Sequence, residues 1–167
     1  MGTQAQRIAA IPEDVNGKAL NRAQAAAFIA RFEKLKPGTK PAWGKLTSEE
    51  VVPHLIAAIK MSMGDYPALP FIGNWATTTL AWPIFRTGWI PTPKNVIIKG
   101  KDGNPVPAIL SPGDLSTLAA VIEEFIQRRE AGTLKAALHP LFGDVGADGW
   151  AVVHTQHTKH HLKQFGL

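Results

Sequence analysis

Four stretches of this chain bring apolar side chains back every third or fourth position, and the connections between them are rich in proline and glycine. That period is the mark of helices with one face in a core. The first spans about 21 to 36, with Asn21 as N-cap, Gln24 three residues on, and Ala27, Phe28, Ile29, Ala30 and Phe32 ahead of a Lys-Pro-Gly stop. The second begins at LTSEE, where Thr47 and Glu50 fit a capping box, and carries Val51, Leu55, Ala58, Ile59 and Met63 to Gly64. Pro53 inside it either kinks the helix or marks a later first turn. The third takes Ser111 as N-cap, Pro112 at the first helical position and Asp114 at the third. Its stripe is Leu115, Leu118, Ala119, Ile122, Phe125 and Ile126. The fourth runs from about Ala147 to Phe165 and ends at Gly166, with Asp148 near its positive end and Lys163 near its negative end.

Four such helices imply an all-α, antiparallel four-helix bundle with one long crossover, residues 65 to 110, between the second and third. Within the crossover, NVIIKGKDGNPVPAIL has the makings of a small hairpin about Asp102-Gly103. The length fits one domain, residues 19–167, behind an N-terminal extension, residues 1–18. Residues 67–85 carry no charge, but Pro67, Pro70, Gly73, Asn74, three threonines and Pro83 would interrupt a spanning helix, so no membrane is expected. The segment reads as a buried or pocket-lining connection, and otherwise as a homodimer interface.

The absence of cysteine excludes disulfides, thiolate metal sites and cysteine nucleophiles, so a metal would fall to histidine and carboxylate. Eighteen Lys and Arg against thirteen Asp and Glu give +5. These cations are scattered, with no basic stripe interleaved with aromatics, which favours a solvated basic surface over nucleic acid. The N-terminus lacks the apolar stretch of a signal peptide, and a cytoplasmic location is the expectation.

HTQHTKHH, residues 154 to 161, holds four of the six histidines. At ~100° per residue, Trp150, His154, His157, His161, Gln164 and Phe165 share one side of the last helix, with His160 toward a flank. Imidazoles on an inward stripe call for a metal, a wet pocket or acidic neighbours. His157 and His161, one turn apart, are spaced to reach one divalent ion. His54 on the second helix, beside Leu55 and Ala58, is a core histidine or an inward third ligand from a facing helix. His139 precedes a proline and reads as a loop anchor. His154 is a pocket residue or an exposed one.

The combination of WGKLTSEEVVPHL (43 to 55), HPLFG (139 to 143), Trp150 and HTKHHLKQFG (157 to 166) resembles the DinB/YfiT-like superfamily. Within it the chain looks most like a branch catalogued only as a domain of unknown function. The likeness spans about 43 to 166. It implies a bundle, often dimeric, with three histidines around a divalent metal such as nickel or zinc: His54, His157 and His161, the last placed three residues before Gln164. His160 matches a frequent family histidine that is not a ligand, and His154, Gln164, His160 and Trp150 become neighbours of the ligands or pocket wall. Characterised relatives include transferases that use low-molecular-weight thiols, hydrolases and isomerases. The expected function is therefore a metal-dependent transferase or hydrolase of a small molecule. The alternative is a non-catalytic metal- or ligand-binding protein, or a structural dimer without metal. Trp75, Trp82, Phe85 and Trp89 are candidates for a pocket wall or for core packing, and Asp65, Glu49, Glu50 and His154 are candidates for a general base.

Overall fold

The computed structural model describes residues 16–100 and 102–167; the expected extension, residues 1–18, lies outside them up to residue 15. The described elements are helical: α1 (Arg22–Phe32), α2 (Val51–Ser62), a π-helical turn (Thr77–Ala81) running into the short α3 (Trp82–Phe85), α4 (Leu115–Glu130) and α5 (Gly146–Gln164). Helix α2 packs most extensively on α4; α1 packs on α4 and α5, and α2 on α5, so the four long helices close a ring. Phe28, Phe32, Leu55, Ile56, Ile59, Leu118, Ile122, Phe125, Ile126, Trp150 and Leu162 fill its interior, each worth ~1.5–3 kcal/mol relative to exposure. Among the described residues no helix is long and apolar enough to cross a membrane.

Local chemistry sets the ends. Asn21 caps α1: its side chain accepts from Gln24 N–H at 2.8 Å while the Gln24 side chain accepts from Asn21 N–H at 3.2 Å. The helix stops at Phe32, short of the expected 36, because the amides of Lys34 and Leu35 reach back only three residues, to Arg31 and Phe32. In α2 the kink does not arise. Pro53 is the third residue of the helix, where the missing N–H is one the first turn leaves without a helical partner. Thr47 and Glu50 form the turn ahead of it, Glu50 Oε2 accepting Thr47 N–H at 3.0 Å, with no side-chain cap on the helix itself.

Two expectations are corrected. Helix α4 starts at Leu115 with Asp114 as its cap, accepting Thr117 N–H at 2.9 Å; Ser111 and Pro112 stand outside. Gly113 is the reason. Its φ of 156° breaks helical geometry just before the cap, and a Cβ there would meet Ile56 Cδ1 at 2.7 Å. The second correction concerns residues 67–85, of which none is buried. Phe71, Trp75, Leu80 and Ile84 are 48%, 72%, 54% and 51% exposed, so the segment is not the buried connection its composition suggests. The hairpin reduces to a turn about Gly103 with a single bridge, Lys99 to Pro105.

Asn21 is the side chain on which the short α1 depends at its start. Asn21→Ala should lower unfolding free energy by about 1 kcal/mol, whereas Asn21→Asp, an equally good cap, should be nearly neutral. Urea denaturation of the two variants separates them.

Candidate metal centre

Helix α5 is buried nearly all round; between Trp150 and Gln164 only Lys159 and Lys163 are exposed. Its histidines therefore need partners, and the network assigns the tautomer of each of these rings except His157. Gln164 Nε2–H donates to the Trp43 carbonyl at 2.7 Å, which leaves Gln164 Oε1 facing His161 Nδ1 at 2.8 Å. His161 must then carry its proton on Nδ1. His54 Nδ1 lies 2.9 Å from the Ile109 carbonyl and must donate to it. Both rings thus present a bare Nε2.

These two nitrogens converge on a third. His157 Nε2 is 3.1 Å from His54 Nε2 and 2.9 Å from His161 Nε2, and the three ligand atoms lie within 4.8 Å of one another. Two nitrogens ~2.0–2.1 Å from one ion stand roughly 2.9 Å apart at a right angle and roughly 3.4 Å apart at the tetrahedral angle. Both spacings from His157 fall in that range, so the donor set suits a divalent ion. Burial holds His157 well below the usual imidazole range, with the nearby His161 and His54 adding to the effect. It pushes His161 down to about 3, again with His54 contributing, and lowers His54 against the opposing Ile109 hydrogen bond. All three are neutral near pH 7, the form that binds metal.

The segment ahead of α2 clamps the C-terminal end of α5. Ala42 N–H donates to the Gln164 carbonyl at 2.8 Å while Gln164 returns the bond to Trp43. Gly44, φ 78°, permits this approach, since a Cβ there would stand 2.9 Å from Gln164 Nε2. The carbonyls of Trp43 and Ile109 are the functional groups that sequence reading missed. The WGKLTSEE strip pointed at the first, and nothing in side-chain pattern points at the second.

The remaining singled-out residues fall around this cluster. His160 accepts from Trp43 Nε1–H at 3.4 Å and donates from Nδ1 to the Thr92 carbonyl at 3.3 Å, its ring edge-on to His161. His154 lies apart in the core. It donates from Nε2 to Ser62 Oγ at 2.8 Å, because the Ser62 hydroxyl itself donates to Ile59, and stacks on Trp150. Trp150 donates to the Ala137 carbonyl at 2.7 Å. His139 Nδ1 accepts the amides of Leu141 and Phe142 at 3.1 and 3.2 Å, fixing the loop before α5. The four crossover aromatics do not gather into one pocket wall. Trp82 and Phe85 pack on Phe142, whereas Trp75 and Trp89 stand in solvent. Of the carboxylates, Glu49 accepts Gly38 N–H at 2.7 Å and Asp65 pairs with Arg128 at 2.9 Å. Glu50, one turn ahead of His54, is the acid whose charge reaches that ring.

A family model described as "Protein of unknown function (DUF1569)" matches residues 16–166. No curated protein and no solved structure matches the chain.

Burial also pushes His154 down to about 3, with His139 nearby, and His139 down to about 4. Both titrate near 6.5 when unfolded, so below that pH the unfolded chain binds more protons than the folded one. Their contribution is complete above pH ~6.5 and is lost as the pH falls to about 4 for His139 and about 3 for His154, at up to ~1.4 kcal/mol per unit for each group. Urea midpoints measured in chelator should fall steadily over that window, and His154→Asn should flatten the slope by about one group's share.

Proposed function

The chain belongs to the DUF1569 family, whose description names no reaction, and we propose from the site itself that it is a divalent-metal protein of the DinB/YfiT type acting on a small molecule. In this reading α1, α2, α4 and α5 are the four antiparallel helices of such a bundle, and residues 65–110 its crossover. The observation that carries the reading is the convergence of the three Nε2 atoms, two of them bare because both partner Nδ1–H groups are committed to oxygen acceptors.

His54, His157 and His161 would hold the ion, nickel or zinc, through three nitrogens and leave positions for a ligand, as catalytic sites do. Bound there, a divalent ion supplies Lewis acidity, lowering the pKa of a water or thiol at the open position. The chain's own contribution is orientation. Gln164 and the Ile109 carbonyl fix the two outer rings, in the way that partners of metal-bound histidines set tautomer and direction. Neutral imidazoles leave the ion's charge uncompensated, which favours an anionic co-substrate such as a low-molecular-weight thiolate. Glu50 is the carboxylate best placed to take a proton. Transfer to or from a thiol, or hydrolysis, is the reaction class this arrangement serves.

One observation favours a second reading. A proton on His157 Nε2 would bond to either neighbour at 2.9 or 3.1 Å, so the trio can satisfy itself as a metal-free polar cluster in a binding or structural protein.

Metal content decides between them. Untagged protein, purified without nickel resin and offered nickel, zinc or manganese, should retain close to one equivalent per chain by mass spectrometry. His157→Ala should retain none, and His160→Ala should keep the full equivalent. Gln164→Ala should weaken affinity about 10- to 100-fold through loss of ring orientation. Less than a tenth of an equivalent in the parent protein would leave only the metal-free reading. A turnover screen with small thiols then tests the reaction class.

A further inference from the structure

From Tyr66 to Lys101 the chain has no acidic residue, although it has thirteen elsewhere, and it carries Arg86, Lys94, Lys99 and Lys101. Among the described residues, the same segment holds eight of the ten large apolar side chains that stand exposed. The π-helical turn and α3 show how this arises. Trp82 and Phe85 turn inward onto Phe142, at ring-centroid distances of 5.3 and 5.0 Å. Leu80 and Ile84, one turn apart, point the other way and are 54% and 51% exposed. A helical turn that is apolar on both sides, with one side covered, leaves an unpartnered face. Trp75 at 72% and Trp89 at 83% stand exposed on either side of it along the chain, with exposed Val96 and Ile97 further on. The segment is pinned to the protein from behind, by Gln156 Nε2–H donating to the Gly88 carbonyl at 2.9 Å and by His160 at Thr92.

We propose that this face docks on an anionic membrane surface, with Trp75, Leu80, Ile84 and Trp89 entering the interfacial layer. The exposed cations Arg86, Lys94 and Lys99 would meet acidic headgroups. Tryptophan is enriched at the depth where apolar and polar layers meet. Apolar side chains beside Lys and Arg, without acids, are what lets a segment lie in that layer. Charge complementarity also selects this occupant over a second copy of the chain. A two-fold contact would set a segment with four cations and no acid against its own image.

Co-sedimentation with phosphatidylcholine vesicles, and with vesicles that also contain phosphatidylglycerol, tests the proposal. Binding is expected to the mixed vesicles only, weakening as salt is raised, with a blue shift of tryptophan emission. Trp75→Ser combined with Trp89→Ser keeps the net charge and should lose about tenfold or more in partitioning, at unchanged helix content. Ile84→Gln should weaken it independently, and Arg86→Gln or Lys94→Gln should each cost about fivefold. Failure to bind the mixed vesicles at low salt overturns the proposal. So does full binding by the double tryptophan variant, which would reduce the effect to net charge. A dimer in sedimentation equilibrium that the same variant dissociates would give the face to a second copy instead.

Discussion

An imidazole withdrawn from water must find an acceptor for its N–H, and α5 withdraws several in little more than two turns. An unmet polar group in such a place costs ~1–3 kcal/mol, so much of the surrounding chain is arranged around these rings. The Ser62 hydroxyl on α2 answers His154, the Gln164 amide answers His161, and two carbonyls of the crossover, Ile109 and Thr92, answer His54 and His160. The last three answers fix a loop as well as a ring. The segment before α2 is bonded twice to the end of α5, and the chain entering α4 is held against α2 through Ile109 and through Ser111, whose N–H donates to the Pro53 carbonyl at 3.0 Å. The irregular parts of the fold are thus positioned by the histidines as much as the reverse.

This explains what was legible in the sequence. The helical periods of α4 and α5 and the one-turn spacing of His157 and His161 are local properties, and they read directly. The meeting of His54 with that pair is not local; the inward face of a second helix allowed it and the family likeness pointed to it. What fixes the rings was mostly invisible, because main-chain carbonyls of Trp43, Thr92 and Ile109 carry no residue signature. The start of α4 was misplaced because Ser111-Pro112 has the chemistry of a helix start, while the conformation of Gly113 forbids one. Composition misled again at residues 67–85. An uncharged apolar segment reads as buried, yet burial depends on a partner surface, and within this chain Leu69, Trp82 and Phe85 find one while Phe71, Trp75, Leu80 and Ile84 stand exposed.

On α5, Gln156 and His160 form one pair a turn apart and His157 and His161 another, displaced by one residue and hence by ~100° around the axis. The first pair holds the 88–92 segment of the crossover; the second presents the candidate ligands. Trp43 touches both. Its indole N–H goes to His160, its ring lies 4.5 Å under the Lys94 ammonium of the crossover, and its carbonyl receives Gln164.

That division of Trp43 between side chain and main chain decides how far the crossover can influence the site. Displacing residues 88–94 withdraws the Thr92 carbonyl from His160 and the Lys94 charge from the indole, both side-chain effects. The Gln164 bond survives such a displacement, because its acceptor is a backbone oxygen held in turn by Ala42 N–H on the Gln164 carbonyl. His161 therefore keeps its tautomer and direction whichever way the indole turns. His54 is insulated in the same manner, since its acceptor, the Ile109 carbonyl, lies two residues before Ser111, which is bonded to Pro53. The His54 and His161 nitrogens are oriented by contacts that do not pass through the exposed apolar face, so that face can engage a partner without disturbing them.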